Sequence, residues 1–187
     1  MAEVQAGLRG VIAAETHLSG VDGQAGELVV GGFLLEELAD RASFEEVVYL
    51  LWHGDLPDER QLRSFQDALA GRRALPGATL KLLEEVAGKQ APVIDALRMA
   101  VGTLSLDLEG DDPEDAALTV VAGFPTVVGA YWRLVNGQDP VAPRSDLGHV
   151  ANYLYLLTGE VPDEAFVRAL ETYLNTVVDH GLNASTF

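Results

Sequence analysis

The 187-residue sequence predicts an all-α domain that begins with a small β-hairpin arm. From Leu34 onward, apolar residues recur every three or four positions, which is the period of helices with one buried face. Before that point, short β-prone pieces flank turn signals, a DG and a GG dipeptide at positions 22–23 and 31–32. We therefore predict a hairpin arm over residues 1–33 and a helical domain over residues 34–187.

Capping residues mark where the individual helices begin and end. Ser43 followed by Glu46 forms a capping box, and Gly54 ends the helix that it starts. Pro125 lies inside a long apolar helix and removes one backbone hydrogen bond, so we expect a bend or a break there. That helix must bury more than one face, in the core or in a subunit interface. After the first helix, the pattern predicts helices over about residues 57–70, 76–87, 92–106, 113–135, 144–158 and 163–180.

Composition excludes several classes of function. The sequence has no cysteine, which excludes disulfides, thiolate metal sites and a cysteine nucleophile. The formal net charge of −17 disfavours nucleic-acid binding, because such a chain repels phosphate backbones. No uninterrupted apolar run reaches the roughly 18–20 residues that cross a bilayer, and the first residues lack the features of a signal peptide. We expect a cytoplasmic protein with no membrane partner.

Two of the four histidines have simple structural interpretations. His17 lies in the arm and is expected at the surface. His53 ends a helix, where a cation complements the helix dipole. The histidines show neither an H-x-x-x-H nor an H-E-x-x-H spacing, so we predict no metal site.

His149 lies in an apolar helical segment, three residues before Asn152. Positions three apart share a helix face, so an imidazole and an amide would be presented together. The spacing is equally compatible with a buried histidine that is bonded to a backbone carbonyl.

His180 closes the last predicted helix, and Asn183 follows it closely. A histidine in this setting can donate a hydrogen bond to a carbonyl that gains negative charge. A capped helix end followed by a polar turn explains the same residues. A Ser-His-Asp triad with Asp179 and Ser185 is not favoured, because adjacent helical residues point about 100° apart and the chain has no G-x-S-x-G elbow.

Four segments resemble the citrate synthase family, in the order in which that family has them. They are GLRGVIAAETHLSGVDGQAGELVVGGFLLEELAD (7–40), SFEEVVYLLWHGDLPDERQLRSFQDAL (43–69), DLGHVANYLYLLTGEVPDE (146–164) and DHGLNASTF (179–187). The chain departs from the family where many members have an Arg-Gly pair after the second short strand. Here the sequence is Gly-Gly-Phe, which leaves the choice of substrate more open.

The resemblance implies a multi-helical, citrate-synthase-like large domain and a reaction that joins acetyl-CoA to oxaloacetate and then hydrolyses the thioester. It implies that His180 is catalytic and hydrogen-bonds the thioester oxygen. It also implies that His149 binds the four-carbon acid and that Asn183 helps to form its pocket. Asn152 is a further candidate for binding the acid, and it faces either this pocket or the packing between helices. No cofactor is implied beyond the coenzyme A thioester, which is a substrate.

The family continues beyond the N-A-S-T-F motif into segments that supply a second catalytic histidine and a catalytic aspartate. We therefore expect a chain that is truncated before the small domain, is inactive alone and forms a homodimer through apolar helix faces. One alternative is a 2-methylcitrate synthase that uses propionyl-CoA, since one methylene changes selectivity by only about 1–3 kcal/mol. Another is a non-catalytic helical interaction or dimerisation module.

Overall fold

The computed structural model describes residues 15–108, 110–179 and 181. Their contacts form two compact units, the described residues up to Leu56 together with those from Glu171 onward, and Pro57–Leu170. The fold is mainly helical with one three-stranded sheet, which confirms the predicted fold class. The domain boundary predicted between residues 33 and 34 stays a prediction.

The elements follow one another along the chain as three strands and then helices. The strands are β1 (Ser19–Asp22), β2 (Glu27–Val30) and β3 (Phe33–Leu34). The helices are α1 (Leu35–Leu38), α2 (Phe44–His53), α3 (Glu59–Ala70), α4 (Gly77–Gly88), α5 (Val93–Val101), α6 (Pro113–Val135), α7 (His149–Thr158) and α8 (Glu164–Thr176), with a 3-10 turn at Leu104–Asp107.

The predicted hairpin is present and gains a third strand. β1 pairs antiparallel with β2, with Ser19 opposite Val30, and β2 pairs antiparallel with β3. The carboxylate of Asp22 accepts hydrogen bonds from the backbone N–H groups of Gln24 and Ala25, which closes the first turn and lowers the pKa of that carboxyl.

The first unit packs the sheet directly against α2. Val30 is fully buried in a core that also contains Val47 and Leu50. Gly31 has a φ of 56°, and a Cβ added there would come within 2.7 Å of the Leu50 side chain. Both features favour glycine at this position. The capping box is confirmed, since Ser43 N–H donates to Glu46 Oε2 at 2.7 Å while Ser43 Oγ accepts from Glu46 N–H at 3.3 Å.

The second unit is built around α6, which contacts α3, α4, α5 and α7. The sequence predicts a bend or a break at Pro125. The helix continues through Pro125, so the break is wrong, and the bend stays a prediction. Apolar packing against several neighbours offsets the one backbone bond that proline removes. Among the described residues, α6 is the one helix long and apolar enough to span a membrane by length and composition, a test that buried core helices also pass.

Three predicted helix boundaries are also wrong. α5 ends at Val101 and a 3-10 turn follows, where one helix to residue 106 was predicted. α8 ends at Thr176 rather than at residue 180. α7 begins at His149 rather than at residue 144, because backbone groups before it bond to side chains instead of continuing a helix.

Candidate active site

His149 is the first helical residue of α7, in the second unit. Gly148 precedes it as the N-cap in an extended conformation, with φ −57° and ψ 166°, so the chain turns sharply into the helix. The His149 side chain is 4% exposed. The structure therefore places an imidazole inside the protein at the start of a helix, where backbone N–H groups have no intrahelical acceptor.

A buried arginine holds the loop that leads to His149. Arg73 lies between α3 and α4 and is the largest fully buried side chain among the described residues, at 1% exposure. Its Nη1 donates to the carbonyl of Arg144 at 2.6 Å and to the carbonyl of Leu147 at 2.8 Å. These two carbonyls therefore point toward the guanidinium and not along a helix axis.

Asn152 holds the same loop from the helix side. Its Oδ1 accepts a hydrogen bond from the backbone N–H of Arg144 at 2.8 Å, and the side chain is buried. This bond gives Asn152 a structural role beside His149. Its predicted contact with substrate stays a prediction, as does that of His149.

The surroundings of His149 favour a neutral imidazole. Burial, and secondly the positive charge of Arg73, lower the pKa of His149 to about 4. The positive end of the α7 dipole acts in the same direction. At neutral pH, His149 therefore has one ring nitrogen that donates a hydrogen bond and one that accepts.

The outer side of this loop is a charged surface. The guanidinium of Arg144 forms an ion pair with Asp146, at 2.5 Å, and lies 5.7 Å from the centroid of the Tyr155 ring. This pairing lowers the pKa of the Asp146 carboxyl and raises that of Arg144. The Arg144 side chain thus covers Tyr155 of α7 on the solvent side, while the backbone carbonyl and N–H of this residue bond to the buried side chains of Arg73 and Asn152.

The second predicted site residue, His180, lies outside the described residues, as do Asn183 and Ser185. Asp179, which precedes His180, is among the described residues and belongs to the first unit. Its Oδ2 accepts from the hydroxyl of Ser19 in β1 and from the N–H of Gly181 at 2.9 Å. The Asp179 carboxylate therefore links the backbone of Gly181 to β1.

The remaining histidines lie where the sequence predicted. His17 is exposed, and His53 is exposed in the last turn of α2 with its ring 4.0 Å from that of Tyr49, measured between centroids. Within the described part of the chain, no three His, Cys, Asp or Glu side chains are grouped so that they could hold a metal ion.

Sequence reasoning missed Arg73. An Arg-Arg pair after an amphipathic helix is usually a solvated helix end, and only Arg72 fits that description here. Arg72 is partly exposed and forms an ion pair with Asp115. No local signal shows that the next residue is buried, because its acceptors lie 71 and 74 positions further along the chain.

Comparison with known proteins identifies the family to which the chain belongs. A family model described as citrate synthase, C-terminal domain, matches residues 7–187. A citrate synthase of Haloferax volcanii is 43% identical over 99% of this chain and 51% of its own length. A 2-methylcitrate synthase of Mycobacterium tuberculosis is 36% identical over 99% of this chain and 48% of its own length.

Solved structures show the same relationship. The crystal structure of citrate synthase from Thermotoga maritima matches with a TM-score of 0.84 and 33% identity, over 99% of this chain and 49% of that one. A mainly helical fold with a buried histidine at the start of α7 thus coincides with a sequence match along nearly the whole chain. The chain belongs to the citrate synthase family. It spans about half the length of the curated relatives that it matches.

Proposed function

We propose that this chain is part of an enzyme that condenses acetyl-CoA with oxaloacetate to give citrate and coenzyme A. The observation that carries the proposal is the family match across residues 7–187, which includes both histidine segments. Identity alone does not separate the two thioesters, because citrate synthases are 35–43% identical and 2-methylcitrate synthases are 36% identical to this chain. Propionyl-CoA therefore stays the alternative substrate.

The proposed reaction needs a site that binds the four-carbon acid. In this proposal, neutral His149 donates one hydrogen bond to a carboxylate or to the oxygen of the reacting ketone. A neutral donor suits this role because it keeps its proton at physiological pH. Asn183 and Asn152 are the further residues that this proposal assigns to binding the acid.

The proposed reaction also needs a group that stabilises the enol of the thioester. In this proposal, His180 donates a hydrogen bond to the thioester oxygen as negative charge develops on it. The other two groups belong to segments that the family has beyond the N-A-S-T-F motif. There, a carboxylate takes the methyl proton and a second histidine polarises the ketone. Coenzyme A leaves when water cleaves the thioester, and no permanently bound cofactor takes part.

Turnover tests the proposal directly. The experiment uses the whole polypeptide that the open reading frame encodes. With oxaloacetate present, this polypeptide should release coenzyme A from acetyl-CoA, and it should release coenzyme A more slowly from propionyl-CoA. His180→Gln should lower kcat by about a thousandfold, since an acid–base or oxyanion group contributes 10²–10⁴-fold. His17→Gln, at an exposed histidine, is the matched control and should leave kcat unchanged.

Faster turnover of propionyl-CoA would assign the chain to the 2-methylcitrate synthases instead. A folded polypeptide that releases no coenzyme A from either thioester would support a non-catalytic interaction module.

The proposed enzyme is a homodimer, and an apolar groove in the second unit supports this assembly. The groove measures about 410 Å³, and its lining includes Val93, Trp132, Tyr153 and Leu157. Among the described residues, no charged side chain lines it. The neighbouring Ile94 is 69% exposed. An uncharged face of this kind allows a second copy to bind despite the net charge of −17, and isologous contact covers both grooves at once.

Ile94→Asp should therefore weaken self-association by at least about a hundredfold. Both copies would bury an uncompensated carboxylate in the interface, and one such carboxylate alone costs about 3 kcal/mol. Sedimentation equilibrium of the whole polypeptide measures the dissociation constant. Phe166→Asp is the matched control on α8, because Phe166 is 66% exposed and neither it nor its chain neighbours line the groove. A wild-type protein that is monomeric at every concentration would contradict the dimer.

A further inference from the structure

Arg73 is a charged side chain inside the second unit, and neither its burial nor its partners are explained by the proposed chemistry. Its guanidinium keeps its proton at any physiological pH, and taking it out of water is costly. Its Nη1 donates to two carbonyls, those of Arg144 and Leu147, at 2.6 and 2.8 Å. These bonds therefore fix a backbone segment that is distant in sequence.

The segment that Arg73 holds leads directly into His149. Leu147 and Gly148 immediately precede His149 in the sequence. No side chain caps the start of α7. Asn152 binds the N–H of Arg144 from the other side. Two carbonyls of the loop thus bond to Arg73, and one N–H of the loop bonds to Asn152. Together these bonds fix the residue at which α7 begins.

We infer that Arg73 is a positioning residue, which sets the place of the His149 imidazole by holding the carbonyls of Arg144 and Leu147. The inference rests on the proposed function, because the acid that His149 binds belongs to that proposal. Arg73 does not touch substrate in this account. It acts through the loop at residues 144–148.

The charge of Arg73 supports the same role. After burial, it is the second cause of the lowered pKa of His149, so it helps to keep the imidazole neutral. A lysine would keep this charge, but its ammonium stands on a flexible stem and cannot reproduce the planar donor geometry of a guanidinium. Arg73→Lys therefore separates the loop geometry from the charge.

The adjacent arginine provides a matched control. Arg72 bonds to the carboxylate of Asp115 and to the carbonyl of Ala68, and none of its bonds reaches the loop at residues 144–148. Arg73→Lys and Arg72→Lys are the same chemical change at neighbouring positions. Only the first should affect His149.

Hydrogen–deuterium exchange is the first measurement, and it does not depend on activity. In the polypeptide encoded by the whole open reading frame, Arg73→Lys should speed exchange of the peptide that covers residues 142–153 about tenfold, a tenfold change being typical of one lost bond. Arg72→Lys should leave this peptide unchanged. Should Arg73→Lys not fold, Arg73→Gln takes its place, because it keeps an N–H donor without a buried charge. Unchanged exchange of this peptide would overturn the inference.

Steady-state kinetics is the second measurement. Arg73→Lys should raise KM for oxaloacetate about tenfold and leave KM for acetyl-CoA within about twofold, because only the His149 side of the site moves. Equal rises in both KM values, or a fall in kcat alone, would show a merely structural role and overturn the inference. Absence of turnover in the wild type as well as in Arg72→Lys would contradict the proposed function, while the exchange measurement would still decide the role of Arg73.

Discussion

Gly129→Ala is expected to lower the free energy of unfolding by about 3 kcal/mol, the upper part of the range for overpacking a core. A Cβ at this position would lie 2.6 Å from the Cβ of Leu156 and 3.1 Å from its backbone carbonyl. Neither atom can rotate away, so α6 and α7 would have to move apart. The gain in helix propensity, about 1 kcal/mol, is too small to offset this.

Gly123→Ala is the matched control, since both glycines lie in α6. A Cβ at Gly123 would meet only the tip of the Leu104 side chain, at 3.2 Å, and that side chain can adjust. The free energy of unfolding of Gly123→Ala should therefore stay within about 1 kcal/mol of that of the wild type. Urea unfolding of the two variants measures the difference. Equal stabilities would show that α6 and α7 are not in the close contact described.

Acidification below neutral pH is expected to destabilise the protein through His149. The pKa of the imidazole is about 4 in the folded protein and 6.5 in its ordinary state. Between these two values the unfolded chain binds more protons than the folded chain. The free energy of unfolding therefore falls as the pH falls from 6.5 to 4, and the full loss from this group is about 3 kcal/mol.

His149→Gln isolates this contribution, because glutamine does not titrate. The stability of the wild type minus that of His149→Gln should be constant above pH 6.5 and decrease by about 3 kcal/mol down to pH 4. Urea unfolding at several pH values measures it. A difference that does not vary with pH would mean that His149 is not held neutral by burial and by Arg73.

Local signals were sufficient to predict many of the elements. The Ser43–Glu46 capping box, the turn after Asp22 and the apolar spacing of α2, α3 and α4 depend on residues within a few positions of one another. These features of the sequence form in the structure largely as predicted.

Features that depend on distant residues could not be predicted in this way. α7 starts five residues later than its apolar pattern suggests, because the carbonyls of Arg144 and Leu147 bond to Arg73. The same applies to Gly129, whose need for glycine comes from Leu156 on another helix. For the candidate site, the sequence indicated His149 and Asn152 but not the buried cation that holds them.

Direct binding of oxaloacetate to the whole polypeptide is the measurement that tests the central claim most directly. Titration calorimetry should give a dissociation constant that rises at least about tenfold in His149→Gln, the loss expected for a buried hydrogen bond to a charged ligand. His53→Gln, at the exposed end of α2, should bind like the wild type. Equal affinity in the wild type and in His149→Gln would contradict the account, because the buried imidazole at the start of α7 would then have no part in binding the acid.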